Sequence, residues 1–542
     1  RTGADRPGRP GRHRSRAHAM IPRIIHQTWR DRDIPPSLQA YVVSWPRLHP
    51  GWEIRLWTDD DLAALARQEY PHLAEQYFSY PRAIQRADLG RYLVLRSHGG
   101  VYADLDAEAL RSFDVLLQQD RPLFAEEPRS HLAEKPAVVR GLTTRIVSNA
   151  VMVSPAHHPF WDVVIDLAVQ CRHALDPLDA TGPFLLTGAV DAASVRIRPD
   201  VIPGYMFSPH DKYGRLCADR NDAVPALAQH HWCHTWIPDE KPLSRSVRIK
   251  TALRKARLRW RERRAESPAL REGAVDRVTL ARNAPANGSV LIAIPVRNAA
   301  QTLDALFARI LALDFPPERL SIAFLVGNST DDSLARIKAF LENSRGRFRR
   351  ATLLEQDFAI RGQGPRWSVA LQRERRSRIA RARNLLLRDG LQAEDWVLWI
   401  DADIIDFPTD TLKRLLAERA RVVHPDSVRK AGGPSFDQNA WISVGEPEDH
   451  QWIKHVYDGL YQPPAHHLRL YMHDLRYLRR VPLESVGGTM LLVDANVHRA
   501  GIVFPETPYR RLIETEAFAA LARRLGVDLV GLPQLQTLHA DF

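Results

Sequence analysis

Two Asp-x-Asp tripeptides, each closing an apolar run, constrain this chain more than any other feature. They are Asp104-Leu105-Asp106 in HGGVYADLD and Asp401-Ala402-Asp403 in DWVLWIDADI. A strand places alternate residues on one face, so a pair that ends a strand aims both carboxylates at one point. Such a pair repels itself unless a cation lies between. A hard divalent ion, Mn²⁺ or Mg²⁺, satisfies both carboxylates and leaves positions for diphosphate oxygens. The same tripeptide recurs at Asp31-Arg32-Asp33 and Asp59-Asp60-Asp61, in polar stretches with no apolar strand before them. Context therefore selects the other two copies, and Asp104, Asp106, Asp401 and Asp403 are the expected metal-holding catalytic residues, one ion per half.

At 542 residues the chain is too long for one core and implies two or three domains. The first half alternates strand and helix: PRIIHQTW, WEIRLWT, the helical DDLAALARQ and RAIQRADLGRYLVLRSHGG, then VYADLD. After the linker ARNAPANG (281–288) the pattern restarts with SVLIAIPV, TLDALFARILALD, LSIAFLVG, SLARIKAFLEN and DWVLWIDADI. The fold class is α/β, with a second parallel sheet expected after the linker. The domains expected are residues 20–240 and 287–542, joined by a basic helix and linker at 241–286. Residues 1–19, rich in Arg, Pro and Gly, read as disordered or as an extension upstream of Met20.

A net charge of +12 suits nucleic acid, an anionic membrane face or acidic sugar nucleotides. Much of it is local to residues 244–267, where Ile249, Leu253, Ala256 and Trp260 fall at helical spacing within a dense run of Arg and Lys. That segment reads either as a solvated interdomain helix or as a helix that docks on an anionic membrane. No nucleic-acid motif accompanies it, so nucleic acid is not an expected partner. No apolar run approaches the roughly 20 residues of a membrane span, and the first twenty residues hold no apolar leader. Cys171, Cys217 and Cys233 are too few and too unevenly spaced for a disulfide framework. A cytoplasmic enzyme follows as the expectation, with peripheral contact at the inner membrane face as an option.

IPRIIHQTW, RADLGRYLVLRSHGGVYADLD and AQHHWCHTW (228–236) follow one another as in the family 32 glycosyltransferases, the group with a sugar-binding region containing a DXD motif. The resemblance implies that Asp104 and Asp106 hold the metal while Asp88 and Arg91, on one helix face, contact sugar hydroxyls and phosphate. Tyr102 joins them as a substrate-binding candidate. Trp29 is placed to stack on a nucleobase or to fill the core. His231 is the candidate third metal ligand, with Thr235 and Trp236 completing the phosphate shell. His230 reads as packing or surface.

LIAIPVRNAAQTLDALF, LALDFPPERLSIAFLVGNSTDDSL, RIARARNLLL, EDWVLWIDADIIDFP, VGGTMLLVDANVHRAGIVFP, IETEAF and GLPQLQTLH resemble the family 62 glycosyltransferases, the fungal α-mannan polymerase subunits. Carried over, Asp401 and Asp403 bind the metal and His539 is a third ligand. Pro295, Arg297, Asp331 and Asp332 end strands where α/β folds bind nucleotides. Arg383 and Asn384 precede the acidic strand, and a guanidinium there can grip a diphosphate. Arg381 is two residues from Arg383, so both cannot point inward on a helix; Arg383 is favoured. Gly487 and Gly488 permit close approach to the sugar, and Glu514 or Glu516 would meet acceptor or donor hydroxyls. Asn328 stands where the family carries an acid.

Together the resemblances imply two GT-A-like nucleotide-sugar-binding domains, hence a bifunctional retaining glycosyltransferase. The implied donor is GDP-mannose for the second domain and GDP-mannose or a UDP-sugar for the first, with a glycan or lipid-linked acceptor in capsule or other polysaccharide synthesis. Three rivals stand beside it: one domain a mere acceptor-binding module, a metal-dependent nuclease or polymerase, and a membrane-docked scaffold.

Overall fold

A computed structural model describes residues 21–134, 143–221, 223–233, 275–359, 368, 371–444 and 455–541. Thr235, Trp236 and the basic helix expected at 244–264 lie outside the described residues. Two compact units form. The first takes residues 21–133, Arg145–Asp166 and the described residues from Ala189 to Cys233; the second takes the described residues of Glu134–Thr144, Leu167–Gly188 and the described residues from 275 onward.

The first unit is built on a six-stranded sheet ordered β2-β1-β3-β6-β5-β7. Its members are β1 (Ile24–Thr28), β2 (Glu53–Trp57), β3 (Gly100–Ala103), β5 (Leu123–Glu126), β6 (Val147–Ser154) and β7 (Asp200–Ile202), while β4 (Ala107–Ala109) pairs separately with β8 (Ala228–His230). β1 runs parallel to β2 and β3, and β3 runs antiparallel to β6. Ile25, Val101, Ala103, Val151 and Val153 fill one face against Trp45, Phe113 and Phe207. The helix Ala83–His98 leads into β3 and ends where its sequence says it must: Gly99 and Gly100 have φ of 64° and 90°. A Cβ at Gly99 would sit 2.4 Å from the Ala156 backbone nitrogen, so only glycine fits. The Asp59-Asp60-Asp61 copy of the tripeptide opens a helix, with Asp61 closing a capping box on Thr58.

The second unit carries a nine-stranded sheet: β11-β10-β9-β12-β20-β14-β21-β13, with β19 on β21. The sequence-expected strands are β9 (Val290–Val296), β10 (Leu320–Val326) and β12 (Trp396–Ile400), joined by β11 (Arg350–Glu355). These four are parallel; β9, β10 and β12 are buried, with the helices Leu303–Leu311 and Ser333–Asn343 against one face and Gln372–Leu385 with Leu386–Gly390 against the other, while edge strand β11 is part-exposed. Beyond β12 the sheet, expected to be parallel, becomes mixed: β14 (Val422–Val428) and β21 (Leu529–His539) pair in parallel, but other pairs do not. β20 (Met490–Asp494) runs antiparallel to both β12 and β14, and β13 (Ile404–Asp406) runs antiparallel to β21. After the acidic pair the chain still passes through helices, Thr411–Ala417 before β14 and Thr515–Arg524 before β21, but β20 enters between β12 and β14 running against both. One excursion holds the short strands β15 (Trp441–Ser443) to β18 (Arg469–Tyr471), among them β16 (Val456–Tyr457) and β17 (Leu460–Tyr461), and β19 (Val481–Pro482) follows. No helix among the described residues is long and apolar enough to cross a membrane.

Candidate active sites

In each unit the acidic pair sits just past the C-terminal end of a central strand, β3 or β12. Asp104 is anchored from below. Arg91 Nη1 lies 3.0 Å from its Oδ1 and Arg91 Nη2 lies 3.1 Å from Asp88. The Tyr102 hydroxyl donates to the same Oδ1 at 2.7 Å and is met by the Thr28 hydroxyl at 2.8 Å. Asn149 closes the set by donating to Asp88 at 3.2 Å. Asp88, Arg91 and Tyr102 are 5%, 4% and 0% exposed, which corrects their expected role as donor contacts. The helix Ala83–His98 and β3 hold them buried beside the pair, where the guanidinium offsets the charge of Asp88 and Asp104. Burial raises Asp104 above the usual carboxylate range despite Arg91.

Asp106 shows the second correction. The imidazole beside it belongs to His230, whose Nε2 lies 3.3 Å from Oδ1, while Oδ2 accepts the Cys233 backbone N–H at 2.8 Å. His231, the residue favoured from sequence, turns the other way: it stacks on Tyr41 at 4.1 Å and meets Glu108 at 3.2 Å. Successive residues face opposite ways where the chain leaves β8: His230, its last residue, lies opposite Ala107, and His231 follows it. Burial opposes charge on both partners, yet their mutual contact lowers Asp106 to about 2 and raises His230. Trp29 follows β1, half-buried, with the Arg30 guanidinium 5.7 Å over its ring.

The second site repeats this plan. Arg383 Nη2 donates to Asp401 Oδ1 at 2.8 Å and to the Gly488 carbonyl at 3.1 Å, and its Nε lies 3.0 Å from Glu514. Its side chain is 2% exposed, whereas Arg381 lies outside and pairs with Glu506. His539 Nε2 is 3.0 Å from Asp403 Oδ2, as placed from sequence, and its ring stacks on Phe436 at 3.7 Å. Asp403 Oδ1 is buried and has no protein partner among the described residues.

Other candidates are committed elsewhere. Glu514 holds Arg383 from a backbone at φ 59°, an uncommon conformation for a non-glycine residue. Glu516 is 4% exposed and takes Arg376 at 2.7 Å, Trp441 Nε1 at 3.2 Å and Arg469 at 3.4 Å. Asn384 spends its amide on both backbone groups of Phe504. Asp331 accepts from Ala300 N–H and from Ser333. Arg297 and Asp332 are exposed and Pro295 is half-buried, all at the C-terminal edge of β9 and β10. The glycines were expected to face the sugar; instead a Cβ at Gly488 would fall 2.2 Å from Arg383 Nη2, and one at Gly487 would fall 1.8 Å from Asp437 Oδ2. Sequence reading missed Asp437 and His230 alike. The register of β8 against β4 was the signal for His230, and nothing local marks Asp437.

Residues 35–123 match the family described as glycosyltransferase sugar-binding region containing DXD motif, and residues 276–508 match Anp1. The chain is 30% identical over 272 residues to the mannan polymerase complex subunit mnn9 of Schizosaccharomyces pombe, covering 46% of this chain and 79% of that protein. It is 38% identical over 146 residues to inositol phosphoceramide mannosyltransferase 3 of the same yeast, covering 27% of this chain and 36% of that one. Among solved structures, the mannosyltransferase PcManGT from Pyrobaculum calidifontis, in complex with GDP-Man and Mn²⁺, aligns at a TM-score of 0.29 and 15% identity, covering 54% of this chain and 67% of that one. The DXD region and these sequence relatives define a glycosyltransferase, a hexosyl-transferring enzyme. The chain belongs to the Anp1 family, through residues 276–508, and carries the DXD sugar-binding region ahead of it.

Proposed function

We propose that this glycosyltransferase moves mannose from a nucleotide donor at two metal-dependent sites, one in each unit. The observation that carries the reading is a four-residue constellation common to both. A buried arginine from the helix before the acidic strand holds the first carboxylate, and a histidine from a later strand meets the second: Arg91, Asp104, Asp106 and His230; Arg383, Asp401, Asp403 and His539.

The residues fit a hard divalent cation. Ligand atoms of Asp104, Asp106 and His230 lie within 4.8 Å of one another, and the buried Asp403 Oδ1 lacks any protein partner among the described residues. Carboxylate with neutral imidazole suits Mn²⁺, and Mg²⁺ is its alternative. When bound there, such an ion offsets the charge that grows on the departing nucleoside diphosphate. The chain does the rest of the work by orientation: Arg91 and Tyr102 fix Asp104, the Cys233 N–H fixes Asp106, and Arg383 fixes Asp401. No protein acid is then required at the leaving group, and a donor phosphate oxygen can accept the acceptor proton in a same-face, retaining transfer.

The relatives' mannan and mannosyl activities favour GDP-mannose at the second site and GDP-mannose or a UDP-sugar at the first. A glycan or lipid-linked hydroxyl is the acceptor class. The test is nucleoside diphosphate release by the full chain across a donor panel with Mn²⁺. GDP release from GDP-mannose that stops on chelation supports the reading, and no metal-dependent release from any donor defeats it.

A further inference from the structure

One short segment, residues 436–441, touches several residues that surround the second site. The Phe436 ring stacks on His539, the imidazole beside Asp403. The Asn439 side-chain oxygen accepts from Arg376 at 3.2 Å, and Trp441 Nε1 donates to Glu516. Between them Asp437, 7% exposed, carries the tightest set of bonds. Its Oδ2 accepts from the Gly488 N–H at 2.9 Å, the Thr489 N–H at 3.2 Å and the Thr489 hydroxyl at 2.9 Å, and its Oδ1 accepts from the Asn439 N–H at 3.2 Å.

The turn that Asp437 grips is itself the anchor of the acidic pair. The Thr489 carbonyl accepts the Asp401 N–H at 2.9 Å. The Gly488 carbonyl accepts from Arg383 Nη2, the same nitrogen that holds the Asp401 carboxylate. Both chains of contact therefore run from Asp437 through one turn to Asp401. Gly487 belongs to the same device: a Cβ there would meet the Asp437 carboxylate at 1.8 Å, so the close approach that a glycine allows is spent on this clamp.

We propose that Asp437 is a positioning residue for the second site, fixing the turn Gly487–Thr489 so that Asp401 and Arg383 are aimed before metal and donor arrive. The inference rests on the reading above, that Asp401 and Asp403 hold a divalent cation. Residues behind metal ligands typically set affinity by about ten- to a hundredfold, because they restrict where the ligand points.

The test uses the full chain with Asp104→Asn and Asp106→Asn, so that only the second site binds metal. Free Mn²⁺ is counted by electron paramagnetic resonance, alongside steady-state kinetics and thermal unfolding. Asp437→Ala should weaken Mn²⁺ binding about tenfold or more and lower kcat at saturating Mn²⁺. Gly487→Ala, which displaces the same carboxylate, should share that signature. Glu394→Gln breaks a buried pair with Arg350 in the same unit and should lower stability while leaving Mn²⁺ affinity unchanged. A folded Asp437→Ala that binds Mn²⁺ as tightly as its parent overturns the proposal, as does a Glu394→Gln that weakens it equally. If Asp437→Ala does not fold, Asp437→Asn is measured in its place; loss of folding in both assigns Asp437 a purely structural role and overturns the proposal. A parent that neither binds Mn²⁺ nor releases a nucleoside diphosphate defeats the two-site reading itself, and this inference falls with it.

Discussion

Cutting the chain at the linker should not liberate a stable second unit. Leu167–Gly188, from the first half of the sequence, is part of that unit. The Leu175 N–H donates to Asp474 at 2.9 Å, and Arg476 reaches the Gln170 carbonyl at 3.2 Å. Phe184 stacks on Tyr477 at 6.3 Å, and a Cβ at Gly188 would fall 2.3 Å from the Tyr477 carbonyl oxygen. The helix Pro177–Ala180 packs on the turn Met472–Leu475. Removing the segment uncovers Met472, Leu475 and Tyr477, each 1% exposed. At about 2 kcal/mol for each large apolar side chain returned to water, the loss is on the order of 6 kcal/mol. A domain has about 5–15 kcal/mol in total. A 276–542 fragment should therefore be unfolded, or melt at far lower urea than the second unit of the intact chain, as read by tryptophan fluorescence. Gly188→Ala in the full chain should lower the same midpoint without touching the active sites. A fragment whose midpoint equals that of the intact chain would refute this assignment of the segment.

Three further outcomes are expected. In the Asp401→Asn, Asp403→Asn background, His230→Ala should weaken Mn²⁺ binding on the order of tenfold or more while His231→Ala changes it little; equal effects would undo the corrected ligand assignment. Arg383→Met leaves Asp401 partly buried without its counter-charge and should cost the second unit about 3 kcal/mol in urea unfolding, with Gly488→Ala mimicking part of it by displacing the guanidinium. Burial, aided by the Asp403, Glu514 and Asp437 carboxylates and opposed by Arg383, lifts Asp401 to about 7. The metal-free folded chain thus holds a proton there that the unfolded chain releases near pH 4. The stability difference between wild type and Asp401→Asn should fall as pH rises from about 4 to about 7, while Mn²⁺ affinity rises across that window; a difference that grows with pH would contradict the assignment.

Much of the site was legible because its signals are local. Apolar runs closing in acidic pairs gave β3 and β12, and the 3.6-residue period separated Arg383, which points inward, from Arg381, which pairs with Glu506 at the surface. What was not legible depends on partners distant in sequence. Adjacent histidines, His230 closing β8 and His231 just past it, face opposite ways, and only the folded pairing of β8 with β4 shows which of them meets Asp106. Glu516, Asn384 and Asp88 have the residue types of substrate ligands, but their side chains are consumed by Arg376, Phe504 and Arg91. Asp437 sits in a stretch with no motif, and its role emerges only when the turn Gly487–Thr489 folds against it.

The central claim, two independent metal-dependent sites on one chain, is tested most directly by comparing two double variants. Asp104→Asn with Asp106→Asn, and Asp401→Asn with Asp403→Asn, are each assayed in the full chain for Mn²⁺-dependent nucleoside diphosphate release from GDP-mannose and UDP-sugars, with bound Mn²⁺ counted per chain. Two ions in the wild type, one in each variant, and loss of a different transfer activity in each are the predicted result. A single ion and a single activity in the wild type, or both activities lost together in a folded double variant, would contradict it.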